Sequence, residues 1–186
     1  MEKRVFVITG AAGSGKTTVA NYLHQRYGMH RVITHTTRLP RPGERDLVDY
    51  HFESSASMAK LHLLEQVEYD GSQYGSSLEG LAEGWQKGKD DVIVLDTKGA
   101  LTYYQKLGDQ AVIIFLTVSK IRLLGQRMLL RGDQLTAVRS RLHSDEYHRD
   151  LSLPQALTGI AHVVVNDRWH KTVEQVDRIV NHFVSQ

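Results

Sequence analysis

The chain of 186 residues contains no cysteine, only three prolines and no long apolar run. Without cysteine it can form neither a disulfide nor a thiolate metal site, which is compatible with a reducing compartment. The N-terminal apolar run extends only from Val5 to Ile8. No later run approaches the roughly 20 residues of a membrane-spanning helix. We therefore expect a soluble cytoplasmic protein that does not act at a membrane.

Excess charge of one sign is also absent. The formal net charge is only +2, from 23 basic and 21 acidic residues. Binding to a nucleic acid polymer would require dense basic clusters, so none is expected as a partner. The ten histidines are scattered and show no spacing typical of a metal site. With 41% hydrophobic residues, the chain suits a single globular domain over residues 1–186 with small-molecule partners, whereas its oligomeric state stays open.

One motif organises the rest of the chain. Residues 10–17 read Gly-Ala-Ala-Gly-Ser-Gly-Lys-Thr and lie between the apolar run and a helical pattern from Thr18 to Tyr27. This is the phosphate-binding pattern G-x-x-x-x-G-K-[ST] between a strand and a helix, and it predicts a nucleoside triphosphate site. A glycine-rich turn that merely caps a helix is the alternative, which the coincidence of strand, loop and helix disfavours. The predicted ATP-binding residues of this loop are Gly10, Ala11, Ala12, Gly13, Ser14, Gly15, Lys16, Thr17 and Thr18.

Strands and helices alternate along the chain. The segments Val92 to Leu95, Val112 to Leu116 and His162 to Val165 are short, apolar and rich in β-branched residues. Such runs predict strands buried on both faces of a parallel sheet. Together with a first strand from Arg4 to Thr9 and a last helix from Lys171 to Val184, they indicate an α/β fold with a doubly wound parallel sheet. We predict that the core comprises residues 1–33, 89–118 and 151–186.

Two segments interrupt this predicted core. In residues 34–88 the pattern predicts a small α/β insertion with strands at 49–52 and 67–69 and a helix from Ser57 to Glu65. Residues 119–150 are helical in pattern and rich in arginine, which predicts a lid over the phosphate site.

The first insertion resembles the acceptor site of guanylate kinases. Residues 34–44 are similar to Ser-x-Thr-Thr-Arg-x-Pro-Arg-x-Gly-Glu of that family, and Asp49-Tyr50-His51-Phe52 follows. Glu65 precedes Tyr74-Gly75-Ser76 by nine residues, as the guanine-recognising glutamate of the family does. Asn166 matches the strand end beside the donor adenine and joins the predicted ATP-binding residues. The resemblance, which spans nearly the whole chain, implies a P-loop nucleoside monophosphate kinase with an acceptor-binding insertion and a helical lid.

The resemblance also implies the reaction, transfer of the γ-phosphoryl group of ATP to GMP. Arg38 and Arg41 are charged forks suited to the acceptor phosphate. A carboxylate at Glu65 can accept from both N1–H and the N2 amino group of guanine. The hydroxyls of Thr34 and Ser76 are predicted to donate to O6. The implied GMP-binding residues are Thr34, Arg38, Arg41, Glu44, Tyr50, Glu65, Tyr74 and Ser76.

No general base is required, because the attacking phosphate oxygen is already anionic. Positive charge and alignment then supply the catalysis. A magnesium ion is predicted as cofactor, bound by the Thr17 hydroxyl and oriented by Asp96. The implied catalytic residues are Lys16, Arg38, Arg127, Arg131, Arg141 and Asp96.

The chain departs from the family in two places. The family usually has Leu-Asp-x-Asp-x-Gln-Gly after the strand, whereas residues 95–99 are Leu-Asp-Thr-Lys-Gly, a segment that is two residues shorter and lacks the second acid. The lid has Leu-Arg-Gly-Asp-Gln at 130–134 in place of Gly-Arg-Gly-Thr-Glu. Two alternatives therefore stay open. One is a related kinase for another phosphorylated acceptor, such as a ribose bisphosphate, and the other is a non-catalytic guanylate kinase-like interaction module.

Overall fold

The computed structural model describes residues 3–69 and 71–184. These residues form nine strands and eight α-helices. The strands are β1 (Val5–Thr9), β2 (His30–Arg31), β3 (His35–Thr36), β4 (His51–Phe52), β5 (Leu63–Tyr69), β6 (Ser72–Ser77), β7 (Asp91–Val94), β8 (Ala111–Thr117) and β9 (His162–Val165). The helices are α1 (Lys16–Tyr27), α2 (Ser55–Met58), α3 (Leu78–Gln86), α4 (Thr97–Leu107), α5 (Arg122–Leu130), α6 (Leu135–Leu142), α7 (Asp145–Asp150) and α8 (Trp169–Val184).

The larger sheet is parallel throughout and has the strand order β2-β7-β1-β8-β9. Alternate residues of the central strand β1 belong to two separate cores, since successive side chains of a strand point to opposite faces. Phe6 lies in a core shared with α1 and α8. Val7 lies in the other core, which includes residues of α3 and α4. The predicted doubly wound α/β fold is therefore confirmed.

A second, four-stranded sheet lies within residues 35–77 and has the order β4-β3-β6-β5. It is mixed, because β3 pairs with β4 in parallel and with β6 in antiparallel fashion. The acidic and hydroxyl side chains of β5 and β6 lie next to each other, with Glu65 opposite Ser76. This pairing brings together two of the predicted acceptor residues.

Two local predictions were wrong. The helix predicted from Ser57 to Glu65 is only the single turn α2, which a capping box between Ser54 and Ser57 starts. The chain then enters β5, so Glu65 lies on a strand whose pairing with β6 shifts register between Leu63 and Glu65. Local helix propensity gave way here to pairing with a neighbouring strand.

The second wrong prediction concerns β9. Its apolar composition predicted burial on both faces, but one face is exposed. Val163 and Val165 remain 50% and 39% exposed, whereas Val164 is buried. The cause is its place at the edge of the sheet, where the described helices cover only the side that carries Val164. Among the described residues, no helix is both long and apolar enough to cross a membrane.

Parallel strands bring their carboxyl ends to one edge of the sheet, where ligands bind in open α/β folds. The strand β1 ends at the phosphate-binding loop, and its neighbour β7 ends just before Asp96. The fold therefore places the loop and this acid side by side.

Candidate active site

The phosphate-binding loop has a backbone that requires glycine at three positions, of which Gly10 and Gly15 illustrate the reason. Gly10 and Gly15 have φ angles of 124° and 96°, in the left-handed region that favours glycine. A Cβ atom on Gly10 would lie 2.2 Å from the carbonyl oxygen of Leu116, and one on Gly15 would lie 2.3 Å from the Asn166 amide nitrogen. Both glycines thus permit the close approach of the loop to neighbouring strands.

Lys16 is the first residue of α1 and bends back over the loop. Its Nζ donates to the carbonyl oxygens of Gly10 and Ala11, at 2.6 and 3.1 Å. Burial lowers the pKa of Lys16 to about 8, while the carboxylates of Asp150 and Asp96 act in the opposite direction. A bound phosphate would add negative charge next to this partly buried ammonium group and so favour its charged form.

Asn166 contacts the phosphate-binding loop through its side chain. Its side-chain amide donates to the carbonyl oxygen of Ser14 at 2.8 Å, and its Oδ1 accepts from the Thr172 hydroxyl at 2.8 Å. The sequence associated Asn166 with the donor adenine. In the structure its side-chain amide holds the loop in place through the backbone of Ser14.

One cavity joins the loop to the second sheet and the lid. Its walls include ten residues predicted for the donor, the acceptor or the transferred group, together with Val67, Gly75, Val94, Leu95 and Asp150. The ten predicted residues are Ala12, Lys16, Thr34, Arg38, Arg41, Tyr50, Glu65, Tyr74, Asp96 and Arg141.

The acceptor loop arranges its arginines around one acid. Arg38 donates from Nη2 to both carboxylate oxygens of Glu44 at 3.0 Å. The backbone N–H of Arg41 also donates to Glu44, at 2.7 Å. The guanidinium of Arg38 lies 5.3 Å from the ring centroid of Tyr50, a cation–π contact. Glu44 therefore holds both arginines in one loop, where their guanidinium groups line the cavity and supply positive charge suited to a phosphate.

Glu65 is a buried carboxylate with an unused acceptor. It is only 5% exposed, and its Oε2 has no hydrogen-bond partner among residues 3–69 and 71–184. Burial raises the pKa of Glu65 to about 7, and the nearby charge of Asp96 adds to the rise. Hydrogen bonding from Ser76 and the charge of Lys106 act in the opposite direction. A buried acceptor of this kind is costly unless a ligand satisfies it.

The three predicted lid arginines have different environments. Arg141 lines the cavity. Arg131 is paired with Asp133 at 2.5 Å, at the partly exposed end of α5. Arg127 donates to the backbone oxygen of Asn166 at 2.7 Å, and its Nη1 is buried without a partner in the described part of the chain. The structure thus brings Arg141 to the cavity, whereas Arg127 and Arg131 do not line it.

Comparison with known proteins agrees with this geometry. The family model described as "Guanylate kinase" matches residues 2–183. The chain belongs to the guanylate kinase family.

Individual guanylate kinases match over most of their length. The enzyme named guanylate kinase from Chlorobaculum tepidum is 33% identical over 189 residues, covering 98% of this chain and 94% of the relative. Guanylate kinase from Thermus thermophilus is 35% identical over 173 residues, covering 90% and 76%. The crystal structure of guanylate kinase from Anaplasma phagocytophilum superposes with a TM-score of 0.68 over 97% of this chain and 85% of that one. At 23% identity, this last likeness concerns the fold.

The missing second acid of the guanylate kinase motif leaves a distinctive group at the end of β7. Lys98, which lies in this shortened segment, is exposed to solvent. Asp96 caps α4 by accepting from the Gly99 N–H at 2.7 Å and also accepts from Arg149 at 2.6 Å. Arg149 in turn contacts Asp150, whose carboxylate accepts from the Thr97 hydroxyl at 2.5 Å. A second acid therefore reaches this neighbourhood from α7.

Sequence reasoning missed Asp150 as a site residue. Its carboxylate is 3% exposed, lines the cavity and is the strongest charge opposing the fall in the pKa of Lys16. The only signal in the sequence is an acid that ends a basic helical segment. Such an acid is indistinguishable from a solvated helix end until the tertiary contacts are known.

The residues predicted for magnesium offer only two protein oxygens, one hydroxyl and one carboxylate. Among the described residues, no group of three or more acids or histidines could hold a metal by itself. Mg²⁺ in kinases uses one or two protein oxygens, with substrate phosphates and water for the rest. The Thr17 hydroxyl beside the loop and the Asp96 carboxylate in the cavity wall fit that limited role.

Proposed function

We propose that the protein transfers the γ-phosphoryl group of ATP to GMP, giving ADP and GDP. One observation carries the proposal. A single cavity is lined by Lys16 of the phosphate-binding loop, by Arg38 and Arg41 of the acceptor loop, and by the buried side chain of Glu65. These side chains suit a triphosphate, a monophosphate and a guanine edge respectively, which together are the two substrates of the reaction.

The residues act by holding two phosphate groups in line. Lys16 can leave the carbonyl oxygens that it now contacts and bind the β- and γ-phosphates. Arg38 and Arg41 hold the phosphate of GMP, whose oxygen attacks the γ-phosphorus while the bridging oxygen of ADP leaves with its electron pair. Arg141 adds positive charge from the lid side of the cavity. Lowering repulsion between two anions in this way is the main task in phosphoryl transfer.

Mg²⁺, held by Thr17 and Asp96, would supply charge neutralisation for the phosphates of ATP. Closure of the segment 119–150 would exclude water, which limits wasteful hydrolysis of ATP.

The buried Glu65 favours a nucleotide acceptor over a ribose bisphosphate. Ribose bisphosphate has no base that could satisfy the unpaired Oε2 of this side chain. Leaving a buried acceptor unpaired costs about 1–3 kcal/mol. The proposed acceptor is therefore guanine-bearing, since adenine presents an acceptor at N1 where guanine presents a donor.

An ADP-release assay across GMP, AMP, CMP, UMP and ribose 1,5-bisphosphate tests the proposal. We expect GMP to be the best acceptor by at least roughly tenfold, which corresponds to about 1.4 kcal/mol. Lys16→Met is the control and should lower the rate by several hundredfold, or about 3 to 4 kcal/mol.

Equal turnover of all acceptors would contradict the guanine assignment. A preference for ribose bisphosphate would favour the second kinase hypothesis. Absence of any turnover dependent on Lys16 would favour the interaction module.

A further inference from the structure

We propose that Tyr103 is a positioning residue for recognition of the acceptor base, acting on Glu65 through Ser76. The inference rests on the proposed function, because it concerns the same base-binding site. Tyr103 lies on α4, outside every motif that the sequence singled out. It is 0% exposed, and its hydroxyl lies 2.8 Å from the hydroxyl of Ser76, which is also 0% exposed.

Hydrogen-bond accounting fixes the direction of this chain of contacts. Each hydroxyl has one proton to donate. Ser76 lies opposite Glu65 in the pairing of β5 with β6, and hydrogen bonding from its side chain and backbone lowers the pKa of the Glu65 carboxylate, which in its ionised form can only accept. The Ser76 proton is therefore directed to Glu65, and Tyr103 is the donor to Ser76. The order is Tyr103 to Ser76 to Glu65.

In this arrangement the Glu65 carboxylate is held by Ser76 and keeps one oxygen without a partner among the residues that the structure describes. Ser76 occupies part of the acceptor capacity of Glu65, while Oε2 stays buried without a partner in the described structure, and the residue lines the cavity. In this arrangement Ser76 has no proton left for guanine O6, contrary to the role that the sequence suggested for it. Thr34, which also lines the cavity, remains available for O6.

The proposed positioning of Glu65 does not involve Lys98. That lysine is exposed and is not among the described residues that line the cavity, whereas Tyr103 lies further along the same helix on its buried face. The charged groups that act on Glu65 are Asp96, at the start of α4, and Lys106, near its end. Neither is placed to fix the Ser76 hydroxyl, and the described contacts give that task to Tyr103.

The test compares GMP with IMP as acceptors, because IMP keeps O6 and N1–H but lacks the N2 amino group. Tyr103→Phe should raise the KM for GMP by about threefold to tenfold, the value of one hydrogen bond. The KM for IMP should change less, so that discrimination between the two falls, while kcat and the KM for ATP stay within about twofold. Tyr104→Phe is the matched control, since it removes a hydroxyl from the next residue of α4, and it should change none of these values.

A double-mutant cycle separates positioning from a general loss of packing. Ser76→Ala should lower discrimination at least as much as Tyr103→Phe. Adding Tyr103→Phe to Ser76→Ala should have no further effect, because Tyr103 acts only through Ser76.

Additive effects, equal KM changes for GMP and IMP, or unchanged discrimination in Tyr103→Phe would each overturn the inference. If the wild-type protein itself failed to prefer GMP over IMP, the proposed function would fail first. That result is visible before any variant is made.

Discussion

Replacing Glu65 by Gln should make the protein more stable at alkaline pH and less selective for GMP. The amide keeps the shape of the side chain but removes its negative charge. In the folded protein the pKa of Glu65 is about 7, raised by burial from a usual 4.5. The folded state therefore holds the proton more tightly than the unfolded chain does.

The size of the effect follows from this difference in pKa. The stability that the protonated carboxyl contributes is fully present below pH 4.5, falls as the pH rises, and is lost above about pH 7. Two and a half pKa units correspond to about 3 kcal/mol of unfolding free energy. Glu65→Gln should thus match the wild type near pH 4 and exceed its unfolding free energy by up to about 3 kcal/mol at pH 8.

Urea unfolding of both proteins at pH 4, 6 and 8 measures this difference directly. The buried carboxyl of Asp91, with a pKa raised by burial to about 8, titrates in both proteins and cancels from the comparison. A difference in unfolding free energy that stays constant from pH 4 to 8 would refute the argument that burial controls Glu65.

The titration of Glu65 should also affect GMP binding, but in the opposite direction: ionisation lowers the stability of the fold and strengthens the binding of GMP. Only the ionised carboxylate accepts from both guanine donors, and at pH 6 about a tenth of Glu65 is ionised if its pKa is near 7. The KM for GMP should therefore rise about tenfold between pH 8 and pH 6. Glu65→Gln should remove most of this dependence, leaving the part due to the GMP phosphate itself. A variant that keeps both the pH profile and the GMP preference would show that Glu65 does not bind the base.

Three further predictions concern the phosphate sites. Arg38→Ala should weaken GMP binding by about 2 to 4 kcal/mol while ATP affinity stays unchanged, both measured by calorimetry. Arg45→Ala, on the exposed part of the same loop, is the control. If Arg38→Ala weakened ATP binding alone, Arg38 would belong to the donor site. Gly15→Ala should lose at least about 1–2 kcal/mol of stability from its left-handed backbone, with more from the 2.3 Å approach of the Asn166 amide, so unchanged thermal unfolding and ATP affinity would contradict the loop geometry. Arg149→Met leaves the neighbouring acids Asp96 and Asp150 without their shared cation and should lower the unfolding free energy by about 1–3 kcal/mol after allowance for partial exposure. Added Mg²⁺ should restore part of that loss. An equal loss with and without Mg²⁺ would argue against a metal beside these acids.

The sequence by itself determined the phosphate-binding loop and the class of fold. Both depend on patterns that are local along the chain. The glycines of residues 10–15 and the apolar strand before them specify a loop between a strand and a helix, and continuous apolar runs indicate a buried parallel sheet. The resemblance in residues 34–44 added the acceptor loop, whose arginines do line the cavity.

Tertiary structure alone decided how the acids and hydroxyls of the site are used. Glu65 was expected on a helix, and only pairing between β5 and β6 places it opposite Ser76. Tyr103 and Asp150 carry no local signal, because their roles arise from contacts with distant parts of the chain. Tyr103 contacts Ser76, at a separation of 27 positions, and Asp150 contacts Thr97, at a separation of 53 positions. Burial, which raises the pKa of Glu65, is likewise a property of the packed fold, since it depends on every element that excludes water from the side chain.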